Sequence, residues 1–165
     1  MTNNELQEKA KSEISKNFRS TVMSLQNSLK EVADGVNIVV GTDDKPIVRD
    51  SPAIPIYHHF MDGVYVRGMK MSKNQVVVGH IHKHLHMCFL ISGEVTVFDE
   101  FGDNHYVAPC LIESTPGVKR VLYAHEESIW YNTHKNPTNT KDLDKLERDI
   151  VAITYKEYEE YIKNK

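Results

Sequence analysis

Gly79-His80-Ile81-His82-Lys83-His84-Leu85-His86, closed seven residues later by Gly93, is the stretch whose reading decides the fold. Four of the nine histidines fall within it. A His-x-His pair puts two side chains on one face of a strand, because strand side chains alternate. The apolar run Met87 to Ile91, then Ser92-Gly93-Glu94 and Val95 to Phe98, reads as strand, tight turn, strand. The histidines therefore sit at the mouth or wall of a β structure. Neutral imidazole is the commonest protein ligand for transition metals, and Zn, Fe, Ni and Cu accept it readily. Clustered histidine is more often metal-binding than not. The competing reading is a chance run of solvated imidazoles.

Outward from this stretch the pattern stays extended. Before it come a short β-like run, Val36 to Val40, and a turn by composition, Gly41 to Pro46. Pro46, Pro52 and Pro55 mark a connector or sheet edge, since proline cannot donate within a sheet. Ile56 to Phe60, the turn Asp62-Gly63, the strand Val64 to Met71 and Gln75 to Val78 follow. After the hairpin, Glu100 to Asp103 reads as a turn. Tyr106 to Ala108, Cys110 to Glu113, Arg120 to Ala124 and Ser128 to Thr133 read as short strands. Short, evenly spaced strands punctuated by Gly and Pro predict an all-β sandwich or barrel.

Both ends read differently. Leu6, Ala10, Ile14, Phe18, Val22, Leu25, Leu29 and Val32 recur at helical spacing over residues 5 to 33, and Gly35 supplies the stop. Such a helix is roughly 44 Å long, too long for a small β domain to cover. It is expected to pack on a partner; the alternative is that it lies across its own sheet. The tail from Asp142 to Lys165 is again helical in pattern, with Thr140 or Asp142 as cap and Leu143, Leu146, Ile150 and Val151 as an apolar face. Tyr155, Tyr158 and Tyr161 continue that stripe as packing residues. The chain divides into an amphipathic helical arm (1–35), a β domain (36–138) and a helical tail (139–165).

Composition narrows the function classes. With 165 residues, 40% hydrophobic and 26% charged, the chain is an ordinary globular protein of one domain. A formal net charge of −3 gives no global basic field for nucleic acid. No apolar run is long enough for a membrane span, and the N-terminus lacks the pattern of a secretion signal. Cys88 and Cys110 therefore read as buried thiols in strands rather than a disulfide.

The pieces resemble the cupin superfamily. His80-x-His82, three residues, His86, six residues and Gly93 match the spacing of its first motif, with His86 where the family usually has Glu. Pro116-Gly117 resembles the turn of the second motif, but Arg120 stands where the family places a fourth ligand, His. Arginine stays protonated and cannot ligate. A closer resemblance is to small single-domain cupins encoded by tailed bacteriophages. It is carried by His58-His59-Phe60, Gly63 to Arg67, Gly79 to His86, Ala108-Pro109, Ser114 with Pro116-Gly117 and Lys119-Arg120, Tyr123-Ala124, Trp130 to His134 and the acidic stretch from Asp142 to Glu147. It covers roughly residues 55 to 152. In that group a Lys often replaces His80, so the resemblance implies His82 and His86 before His80.

The resemblance implies a mainly β, cupin-type jelly-roll β-barrel with a long N-terminal helix and C-terminal helices. It implies a divalent transition metal (Zn, Fe, Mn or Ni) on His80, His82, His86 and His134. Trp130, Asn132 and His134 share one strand face, which makes His134 the preferred added ligand. His59 is its competitor, or a ligand-pocket residue. His84, His105 and His125 read as surface residues. Arg120, if inward, offers a planar cation to a carboxylate or phosphate, with Glu113 as its ion-pair partner or a general base. Two function classes stay open. One is a virion, assembly or small-anion-binding protein, homo-oligomeric and meeting other phage structural proteins through its N-terminal helix, in the host cytoplasm or the virion. The other is a metal-dependent isomerase or dioxygenase-like enzyme acting on a small anion. No catalytic residue is assigned.

Overall fold

The structure, a computed structural model, describes residues 3–41 and 53–165. All of the expected turn Gly41 to Pro46 except Gly41, and the connector prolines Pro46 and Pro52, lie outside the described residues. The chain runs α1 (Asn3–Val32), β1 (Ile38–Val39), β2 (Ile56–Met61), β3 (Val64–Met71), β4 (Val76–Val78), β5 (Ile81–His82), β6 (His86–Ser92), β7 (Glu94–Asp99), β8 (Gly102–Val107), β9 (Cys110–Ser114), β10 (Val121–Ala124), β11 (Ser128–Lys135), α2 (Leu143–Ile150), β12 (Val151–Ala152) and α3 (Tyr155–Lys163).

The fold is mainly β. One five-stranded sheet has the order β1-β4-β10-β7-β8 and the other β2-β3-β11-β6-β9. The chain changes sheet between β1 and β2, between β3 and β4, between β6 and β7, and at each step from β8 through β11, while β5 pairs with β12 in a two-stranded sheet of its own. That is jelly-roll connectivity, as expected, with the ladders among the described residues forming two five-stranded sheets and one two-stranded sheet. Inward residues of both sheets, among them Met71, Leu90, Val95, Val97, Leu122 and Trp130, make one core. Gly93 turns the β6–β7 hairpin at φ 88°, and a Cβ there would come within 2.2 Å of the Ser128 hydroxyl. Only glycine fits this position.

The N-terminal helix lies across its own sheet. Val22 is buried on Val78 and Val121, flanked by Phe18, Met23 and Leu29. Ser15 donates to the buried Glu100, and Arg19 sits 3.6 Å from the same carboxylate and 4.6 Å above the Tyr155 ring. The Asp34 carboxylate ends the helix by accepting from the amides of Val36, Asn37 and Ile38. Those amide bonds hold its carboxyl well below the usual range. Among the described residues, no helix is long and apolar enough to cross a membrane.

The tail is not one continuous helix. Asp142 caps α2 by accepting from the amides of Asp144 and Lys145. The chain then leaves the helix so that Val151 and Ala152 pair antiparallel with His82 and Ile81. Both residues are buried in that pairing. Thr154 caps a new helix, α3. Tertiary pairing overrides the helical periodicity here.

Candidate metal centre

Inward positions of the β2-β3-β11-β6-β9 sheet form successive rungs, because residues two apart on a strand share a face. The rung nearest β5 carries Phe60 and Tyr65, paired with His134 on β11, and His86 paired with Ser114. The next carries His58, Arg67, Asn132, Cys88 and Ile112. The third is Ile56, Met69, Trp130, Leu90 and Cys110. Polarity falls with depth, from imidazoles through a mixed rung to an apolar floor.

Three imidazoles converge at the first rung. The donor atoms of His82, His86 and His134 all lie within 4.8 Å of one another. The ring centroids are 4.2 Å apart for His82–His86, 4.6 Å for His86–His134 and 5.1 Å for His82–His134. His86 Nδ1 is 3.1 Å from the His84 carbonyl, which can only accept. The neutral ring therefore carries its proton on Nδ1 and presents the Nε2 lone pair. That lone pair faces His82 Nδ1 at 2.8 Å.

The surroundings keep these rings neutral. Burial pushes His86 down to about 4 and His134 to about 3. Burial, then the charges of His86 and His134, hold His82 well below its ordinary value. Neutral imidazoles with converging donors suit a divalent transition metal, because protons do not compete for the lone pairs near neutral pH.

His80 lines the same cavity but stands outside the trio. Burial and the Lys119 and Arg67 charges push it to about 3. Strand alternation does not place it beside His82, because β5 starts only at Ile81. Gly79 N–H instead donates to the Arg120 carbonyl at 2.8 Å. His59 is exposed, 6.0 Å from the Tyr131 ring, on the face of β2 opposite to that of His58. It is not in the cavity wall. His84 Nε2 donates to the Asp149 carbonyl at 3.1 Å and so anchors the C-terminal segment.

Arg120 faces inward and lines a cavity of about 130 Å³ with His80, His82 and His134. Its ion-pair partner is Asp99, Nε to Oδ2 3.7 Å. Glu113, the expected partner, offers only its carbonyl, 3.3 Å from Nη2, while its own side chain is exposed. Arg120 Nε is buried with no hydrogen-bond partner among the described residues. Arg67 and Glu147 also line the cavity, 3.8 Å apart. Among the described residues, Glu147 is the one carboxylate in its wall. The α2–β12 segment that delivers Glu147 and Val151 is held by β5 and by the Tyr158 ring lying against Gly117, where a Cβ would come within 2.5 Å.

Both cysteines are free thiols; Cys88 is buried and Cys110 half-buried. Cys88 Sγ lies 3.0 Å from Asn132 Oδ1, 3.6 Å from His86 Nε2 and 3.8 Å from Arg120 Nη1. Burial pushes its thiol up to about 11. The sequence carried signals for this inner wall, in His86-x-Cys88 and in Trp130-x-Asn132-x-His134. No local pattern marked Arg67, Glu147 or Asp99.

No protein-family model matches the chain, and no curated protein matches it. Solved structures similar to it include an RmlC-like cupin from Shewanella frigidimarina, at 14% identity over 64% of this chain and 94% of that one, TM-score 0.47. An RmlC-like cupin family protein with a double-stranded β-helix fold from Methanocaldococcus jannaschii matches at 13% identity over 56% and 89%, TM-score 0.44. An uncharacterised conserved protein with a double-stranded β-helix domain from Klebsiella pneumoniae matches at 18% over 56% and 86%, TM-score 0.47.

Proposed function

We propose that this protein is a cupin of the kind tailed bacteriophages encode, which holds a divalent transition metal and a small anion in one cavity. The carrying observation is the convergence of His82, His86 and His134, two of which, His82 and His134, line a cavity that Arg120 also lines. Zn, Fe, Mn and Ni are the candidate ions. Three neutral imidazoles leave an ion's two charges uncompensated, while the charge of Arg120 is offset by Asp99. Arg67 is offset by Glu147. An anion is the natural ligand for such a wall, with the inward guanidinium of Arg120 as a planar donor for it.

The leading reading is a binding or assembly role, in the host cytoplasm or the virion. It is supported by α1, which exposes Ile14, Leu25 and Val32 at spacings of eleven and seven residues. These place the three on nearly one helix face, available to a second copy or to a phage structural protein. The second reading is a metal-dependent enzyme. Glu147 favours it, as a carboxylate within the cavity that can hold or move a proton. A bound ion would supply Lewis acidity at an open position.

Metal analysis of the purified chain after incubation with each ion tests the proposal. One ion per chain, lost in a His82→Ala, His86→Ala double variant, is expected. Folded wild-type protein that takes up no ion contradicts it.

A further inference from the structure

His86 Nε2 is the hub of the site, and its second neighbour is a sulfur. With His86 Nδ1–H spent on the His84 carbonyl, the Nε2 lone pair faces His82 Nδ1 at 2.8 Å and Cys88 Sγ at 3.6 Å. Nitrogen and sulfur donors on one tetrahedral ion, at about 2.0–2.1 Å and 2.3 Å from it, lie about 3.6 Å apart. We propose that Cys88 is a fourth protein donor to the ion held by His82, His86 and His134, so that the centre is a three-histidine, one-thiolate site. This rests on the metal-binding reading above.

Three further features support it. First, the thiol can leave its present partner without orphaning it. Asn132 Oδ1 also accepts from Trp130 Nε1 at 2.9 Å, so the buried amide stays satisfied. Second, a cation is already beside the sulfur. Arg120 Nη1 is 3.8 Å from Sγ, and Arg120 occupies the place where the resemblance expects a fourth histidine. Arginine cannot ligate, but it stabilises an adjacent thiolate. Third, three neutral ligands leave two charges on a buried ion, and a thiolate removes one of them. One positive charge on the ion still favours an anion.

Cys88 lies one rung deeper than the imidazoles and its Sγ stands outside the 4.8 Å cluster of their donor atoms, so ligation turns its side chain about the Cα–Cβ bond toward the trio. The metal–sulfur bond forms as the S–H bond breaks and the proton leaves to solvent; no electron is transferred. A soft thiolate donor selects Zn²⁺, Co²⁺ or Fe²⁺ over Mn²⁺.

Cobalt titration of the full chain tests this. Co²⁺ bound by a thiolate shows a sulfur-to-cobalt charge-transfer band in the near ultraviolet, separate from the visible bands that report the bound ion itself. The expected result is one cobalt per chain with both sets of bands. Cys88→Ser loses the near-ultraviolet band while still binding cobalt, and Cys110→Ser keeps both. Visible bands without the charge-transfer band, or a charge-transfer band that survives in Cys88→Ser, overturn the assignment of Cys88 and leave the three-histidine reading standing. No cobalt uptake by folded protein overturns both. X-ray absorption of the zinc-loaded wild type needs no variant. A sulfur scatterer at about 2.3 Å supports the proposal, and a shell of nitrogen and oxygen alone overturns it.

Discussion

Two groups of histidines in this molecule have similar spacing and unlike surroundings. His82, His86 and His134 sit inside, with centroids 4.2–5.1 Å apart. His105 and His125 sit outside, on β8 and after β10, with centroids 5.1 Å apart. Three of the outer pair's four ring nitrogens meet a carboxylate or hydroxyl. His105 Nε2 meets Glu94 at 2.9 Å, and the Thr96 hydroxyl bridges His105 Nδ1 at 3.2 Å and His125 Nε2 at 2.7 Å. Inside, His86 Nε2 faces another imidazole rather than a carboxylate or hydroxyl. Ring spacing alone therefore does not make a metal site. What differs is where the lone pairs point and what else can satisfy them.

The largest expected effect breaks the comparison outright. His82→Ala with His86→Ala abolishes metal uptake by calorimetry, a loss well beyond the roughly 10–100-fold that follows removal of an outer-shell partner. His105→Ala with His125→Ala leaves stoichiometry and affinity unchanged.

Acid stability sharpens it next. In metal-free protein His86 binds a proton only near pH 4 and His134 near pH 3, and His82 well below its ordinary value, whereas the unfolded chain takes them up near 6.5. The unfolded state thus holds more protons as the pH falls, and stability drops. Urea unfolding should show the full contribution above about pH 6.5, a decline through pH 5 and no floor before about pH 3. The outer double variant keeps that slope, and a His134→Gln variant flattens it.

Arg120→Ala separates anion from metal. It should weaken binding of inorganic phosphate or a small carboxylate by about 10–100-fold, the worth of hydrogen bonds to a charged group, with metal uptake retained. The smallest effect belongs to His105→Ala alone, within about 0.5 kcal/mol of wild type in thermal or urea unfolding, as for most surface substitutions.

The sequence carried the inner trio better than its wall. Strand β3 is legible in Val64 to Met71 because apolar and turn residues bound it on both sides. His82 and His86 are legible from their spacing, and His134 from its face on β11. His80 misleads because alternation holds only within a strand, and the strand begins one residue after it. His59 misleads because period-two patterning cannot say which of two adjacent histidines faces in. Asp99 meets Arg120 across 21 positions of sequence, and Glu147 meets Arg67 across 80, with no local trace. The break in the tail is hidden for a similar reason: Val151 fits a helical stripe, and only pairing with β5 makes it a strand.

Anomalous diffraction from zinc-soaked crystals tests the central claim most directly. The account predicts one strong peak at ligating distance, about 2.0–2.1 Å, from a nitrogen each of His82, His86 and His134. A peak seated instead on His105 and His125, or an inner trio that stays empty at saturating zinc, would contradict it.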